Sequence, residues 1–141
     1  GAVIKPNSTL VFDVELLDVR ATTVGAELAK ILDKDGRAAA VKEFERMKAN
    51  NFAGAYMNEG ELNMLGYSLI QRQLLGDAIV ILKLNAEMYP DSFNVYDSLA
   101  EAYMLNGDSK LAIENYNRSL ELNPDNTNAT EMLKKLEQEK K

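Results

Sequence analysis

The chain has 141 residues, 46% of them hydrophobic and 27% charged, with 16 Lys plus Arg against 22 Asp plus Glu. A chain of this length buries roughly 70% of its unfolded surface, so a core forms without staples. There is no Cys and no His, which excludes disulfides, thiol nucleophiles, Cys/His zinc sites and imidazole bases. The formal charge of −6, with no dense basic run, argues against nucleic acid and anionic membranes as partners. No apolar stretch approaches the roughly 18 residues of a membrane-spanning helix.

A chain without thiols leaves the compartment open between cytoplasm and bacterial periplasm. The start, Gly1 to Pro6, shows no charged region followed by an apolar one. A start without Met is expected of a processed chain.

Thr9 to Val19 is rich in β-branched and aromatic residues. Leu10, Phe12, Val14 and Leu16 fall on one face, and Val11, Asp13, Glu15 and Leu17 on the other. This alternation predicts a half-buried strand. One strand is not a sheet, so either its sheet partners were cut away or it pairs with something outside this chain. From Thr22 the pattern becomes helical. Thr22 or Thr23 caps a helix running to about Asp33, and Lys34-Asp35-Gly36 ends it. A second helix covers Arg37 to Asn50, with Ala40, Val41, Phe44 and Met47 on one face. Asn50 to Asn58 reads as a loop. Further helices are expected at about 59–74, 77–88, 92–105, 109–122 and 127–139. The breaks at Gly76-Asp77, Pro90 to Ser92, Asn106 to Asp108 and Asn123 to Asn126 supply stops and N-caps.

Two of these helix pairs repeat. Leu62-x-x-Leu65-Gly66-x-x-Leu69, Ala78, Leu82 and Pro90 align with Tyr96-x-x-Leu99-Ala100-x-x-Tyr103, Ala112, Tyr116 and Pro124. Ala78 to Ala112 and Pro90 to Pro124 are both 34 residues. Small residues at 66, 78, 100 and 112 let antiparallel helices approach, and the large ones fill the space between pairs. Val24, Leu28, Ile31, Ala40 and Phe44 make a weaker copy, lengthened by about four residues near 51–58. Proline is missing from its end. Ala129, Met132, Leu133 and Leu136 give the last helix one apolar face, as a terminal cap requires.

This pattern resembles the tetratricopeptide repeat, closely over 93–126 and well over 59–92, where the turn glycine is displaced to Gly76. The expected fold is mainly α: a superhelix of three helix pairs plus a capping helix, preceded by one β-strand. The run Ile4 to Leu17 resembles the end of an FKBP-type peptidyl-prolyl isomerase domain, over a tenth of the chain. The two resemblances divide the chain into 1–20, the last strand of such a domain, and 21–141, the repeats.

The isomerase resemblance implies a proline-binding pocket in which rotation about the X–Pro bond is eased. It matches one pocket wall here, Phe12, and the other pocket residues lie upstream. This chain alone is therefore expected to be non-catalytic, with catalysis in its parent. The alternatives are a scaffold without catalysis and an accessory tail of an unrelated enzyme. The orphan strand at 8–19 has three fates: pairing with a second copy as a homodimer, docking on the repeats, or staying unpaired.

The repeat resemblance implies a concave groove for a protein or peptide ligand. It places Asn63, Tyr67, Ile70 and Gln71 of one repeat in that groove, with Asn94, Asp97, Glu101 and Met104 of the next. Members that hold acidic carboxyl-terminal tails of heat-shock chaperones use Lys, Asn and Arg there. Asp97 and Glu101 would repel such a tail. An apolar, aromatic and acidic groove suits a neutral or basic segment, or a helix. The pairs Asp33/Asp35, Glu43/Glu45 and Glu59/Glu61 are spaced two apart and read as solvated charge. No phosphate loop, metal-binding spacing or cofactor motif is present. The N-x-S/T sequons at Asn7, Asn117 and Asn128 are expected by chance in an Asn-rich chain.

Overall fold

The computed structural model describes residues 22–138. The strand read at 9–19, Phe12 and the pairing edge at 8–19 lie outside the described residues. Within them the order is β1 (Thr22–Thr23), α1 (Val24–Asp35), α2 (Arg37–Ala49), β2 (Ala55–Tyr56), α3 (Glu59–Gln71), α4 (Leu75–Met88), α5 (Phe93–Leu105), α6 (Ser109–Leu122) and α7 (Thr127–Gln138). Helices α1 and α2, α3 and α4, and α5 and α6 pack as pairs. α4 packs on α5, α6 on α7, and α1 lies beside α3. This is the expected stack of three pairs and a cap.

Two apolar cores run through the stack. The first joins Val24, Leu28, Ala40, Phe44, Leu62, Leu69 and Ile81, all 0–1% exposed. The second joins Leu82, Val95, Ala100, Ala112, Tyr116 and Ala129, all 0% exposed. Each fully buried large side chain contributes roughly 1.5–3 kcal/mol relative to exposure, so these cores hold the stack together. The small residues do what the repeat pattern requires. A Cβ built on Gly66 would lie 2.5 Å from Leu82 Cδ2, so only glycine lets α3 approach α4 this closely.

The loop expected at 50–58 is more ordered than its sequence indicates. Ala55 and Tyr56 form β2, which pairs in parallel with Thr22 and Thr23. Asn51 and Phe52 sit in the left-handed region, at φ 51° and 52°. The Phe52 amide donates to the Met47 carbonyl at 2.7 Å. Its ring tilts against Phe44 with centroids 5.7 Å apart. The extra residues of this copy therefore serve to plug the first core.

Three boundaries differ from the sequence reading. α3 stops at Gln71 and not at 74, and α4 starts at Leu75, so Gly76 lies inside α4 and is not the turn glycine. The left-handed turn residue is Gln73, at φ 62°, one period before Gly107, at φ 85°. Asp33 and Asp35 belong to the last turn of α1, and Asp33 accepts from Arg72 at 2.6 Å. The caps are uneven. Thr23 and Asn58 accept from Ala26 and Glu61 amides, as their positions predict. Ser92 and Asp108 make no side-chain cap bond.

Candidate functional site

The eight expected binding positions lie on α3 and α5, the leading helices of the second and third pairs. α3 and α5 are joined across one period by side-chain hydrogen bonds. The Tyr67 hydroxyl donates to Glu101 Oε2 at 2.8 Å. Asn94 Nδ2 donates to Glu59 Oε1 at 2.7 Å. α5 and α7 are joined in the same way. Asn126 Nδ2 donates to Asp97 Oδ1 at 2.8 Å, and Asn128 Nδ2 to Asp97 Oδ2 at 2.8 Å.

Four of the eight expected residues, Tyr67, Asn94, Asp97 and Glu101, thus hold the helices in register. Asn63 is half-buried between them, and its Oδ1 is buried without a hydrogen-bond partner. Ile70 and Met104 are half-buried and pack mainly on the cores, Ile70 on both. Gln71 stands in solvent at the end of α3.

The sequence reading did not find Glu59, Asn126 and Asn128 as members of this network. Glu59 also offers its backbone carbonyl to Asn85 Nδ2 at 3.0 Å. Asn126 is 8% exposed and further bonds Ser119 Oγ at 2.8 Å, while its Oδ1 caps α7 through the Ala129 amide at 3.3 Å. A signal was available, since Glu59 and Asn94 stand 35 residues apart and Tyr67 and Glu101 34 apart, one repeat in each case. Met64, 63% exposed on α3, is a further apolar element that the template had left out.

The electrostatics of this face are one-sided. α3 and α5 carry Glu59, Glu61, Asp97 and Glu101 and no Lys or Arg. Burial pushes the Tyr67 hydroxyl up to about 12, with Ser98 acting against the shift and Glu101 and Asp97 adding to it. Burial also raises Tyr116, and Asp97, Glu101 and Tyr67 add to that shift. The Tyr116 hydroxyl is buried and unpaired.

A separate cavity of about 290 Å³ between α4 and α5 is lined by Lys83, Ala86, Glu87, Pro90, Tyr96 and Leu99. Arg118 lies 5.6 Å over the Tyr96 ring. Among the described residues no group of three or more acidic side chains is placed to hold a metal ion. No helix there is long and apolar enough to cross a membrane.

Comparison with known proteins agrees with this architecture. The tetratricopeptide repeat family model matches residues 98–126. No curated protein matches the chain in sequence. Among solved structures, the chain is similar to the first tetratricopeptide domain of Spaghetti (RPAP3) bound to the HSP90 peptide SRMEEVD. That match has 19% identity, covers 82% of this chain and 88% of the other, and has a TM-score of 0.56. The first tetratricopeptide domain of human RPAP3, solved by NMR, is similar at 19% identity, with 82% and 87% covered and a TM-score of 0.57. The chain therefore has the tetratricopeptide-repeat fold, and its third helix pair carries the repeat in recognisable sequence.

Proposed function

We infer that the chain is a protein-interaction module of the tetratricopeptide type that holds a partner segment against α3 and α5. The observation that carries this is the cross-helix row of Tyr67–Glu101 and Glu59–Asn94 bonds. The bonds that hold the helices in register also fix these groups before any ligand arrives. Fixed groups lose little entropy on binding. The RPAP3 domain of the same fold was solved with a peptide bound, which supports a peptide ligand.

The wider setting we infer is an FKBP-type peptidyl-prolyl isomerase. Its support is the run Ile4 to Leu17. In that setting the repeats capture or localise, and the proline-binding pocket belongs to sequence upstream. Two experiments test the two parts. Titration of the chain with a peptide library, followed by NMR, should shift Tyr67, Met64 and Asn94 together. Shifts confined to α2 or α6 would refute the α3–α5 site. A prolyl isomerisation assay should find activity in the parent protein and none in this chain. An inactive parent would leave the scaffold reading standing.

A further inference from the structure

The geometry points to a cationic partner: a segment of another protein that presents lysine or arginine side chains to Glu59, Asp97 and Glu101 between α3 and α5. This rests on the α3–α5 reading above and adds the charge of the occupant.

The first argument is the company these carboxylates keep. Glu59 accepts from an asparagine, Asp97 from two asparagines, and Glu101 from a tyrosine. Every donor is neutral, so each carboxylate is oriented without being neutralised. None of the three has an ion-pair partner among the described residues. Two nearby cations are paired with other carboxylates. Lys30 on α1 pairs with Glu27 at 3.0 Å, and Arg72 beyond α3 pairs with Asp33 at 2.6 Å. Folding has thus concentrated negative charge on two adjacent helices and fixed it in place. Surfaces of that kind select the opposite charge and repel the same one.

The second argument is an unused acceptor. Asn63 Oδ1 is buried and unpaired, one helical turn from Glu59 on one side and from Tyr67 on the other. A buried acceptor without a donor is unfavourable. Ammonium and guanidinium groups bring several N–H donors and no acceptor, which is what this row lacks.

The third argument is the exposed apolar surface on α3 and on the strand before it. Met64 is 63% and Tyr56 47% exposed. Lysine and arginine stems cover such surface while their heads reach a carboxylate. The sequence SRMEEVD, bound by the RPAP3 domain, has the opposite character, with two glutamates and an aspartate. On this reading the present chain shares that fold and inverts the charge of its ligand.

The test uses the full chain and three capped, dye-labelled peptides that alternate alanine with lysine, glutamate or glutamine. Fluorescence anisotropy should show binding of the lysine peptide alone. Its affinity should fall at least about tenfold as added salt shortens the Debye length from ~30 to ~3 Å. Glu59→Gln and Glu101→Gln should each weaken it several-fold, since glutamine keeps the acceptor and loses the charge. Lys110→Gln on α6 should leave it unchanged, and circular dichroism should show all variants folded.

Equal binding of the glutamine peptide, with Tyr67 and Met64 still shifted in NMR, would overturn the charge inference and leave the α3–α5 site standing. Binding of the lysine peptide unchanged in the Glu59→Gln/Glu101→Gln double variant would overturn both. No binding by any of the three peptides would also overturn both.

Discussion

Gln73 offers a sharp test of how the repeat turn is built. It ends α3 in the left-handed region at φ 62°, where Gly107 ends α5 at φ 85°. The bonding is the same in both places. The Gln73 amide reaches Ile70 O at 2.9 Å and the Leu74 amide reaches Leu69 O at 2.9 Å. At the other turn Gly107 reaches Met104 O at 3.1 Å and Asp108 reaches Tyr103 O at 2.9 Å. Two amides thus satisfy the last carbonyls of each helix, and the turn demands a positive φ.

A side chain in that region costs roughly 1–2 kcal/mol. Glycine removes that cost but adds unfolded-state freedom worth about 0.4–1 kcal/mol. The difference predicts that Gln73→Gly stabilises the chain by about 0.5–1 kcal/mol, because Gln73 is exposed and gives up no packing. The reverse change, Gly107→Gln, should destabilise by a similar amount, since a Cβ there meets nothing within 4 Å and only the dihedral is strained. Urea unfolding followed by circular dichroism measures both, with the slope held constant as the check on two-state behaviour. Loss of stability in Gln73→Gly, or a neutral Gly107→Gln, would refute the reasoning.

Three further outcomes are expected. Gly66→Ala should cost about 1–3 kcal/mol by urea unfolding, because its methyl meets the buried Leu82 side chain at 2.5 Å; a second change, Leu82→Ala, should then cost less than it does alone. Asn126→Ala removes the α7 cap and two side-chain bonds together, so α7 amides should lose hydrogen-exchange protection before those of α5. In alkali, the raised Tyr67 means that the folded state holds its proton more tightly than the unfolded one. The stabilisation is complete below pH 10 and lost as pH rises towards about 12, and Tyr67→Phe should flatten that decline in a thermal-melt series.

The period of the repeat made the helices legible. Small residues at 66, 78, 100 and 112 and large ones at 82 and 116 recur at one spacing, and spacing is what fixes helix pairs. The turn after α3 was misplaced because Gly76 drew attention away from Gln73. Gly76 instead lies in the first turn of α4, where a Cβ would come 2.7 Å from Arg37 Nη2, the end of a flexible side chain that can yield. The β1–β2 pair spans two residues on each side, too short to leave a periodic trace. Of the candidate site, Tyr67, Asn94, Asp97 and Glu101 could be placed on one face from the template. That they bond to one another and to Glu59, Asn126 and Asn128 depends on how adjacent pairs are inclined. Side-chain type alone does not encode that inclination.

Helix α4 lends its sides to both cores. Ile81 and Leu84 belong to the first, and Leu82, Ala86 and Ile79 to the second. The segment that recurs in sequence, 59–92, is therefore not the segment that is separable in space. A gene cut at the repeat border after Pro90 would leave Leu82 and Ala86 bare on one product and take the inner wall from the other. For recombination, the portable cassette in this chain is a helix pair together with the first helix of its successor. Lineages that gain or lose repeats here would be expected to carry their crossovers within paired helices, where the hydrophobic register is preserved, and not at the prolines that mark the border in the sequence.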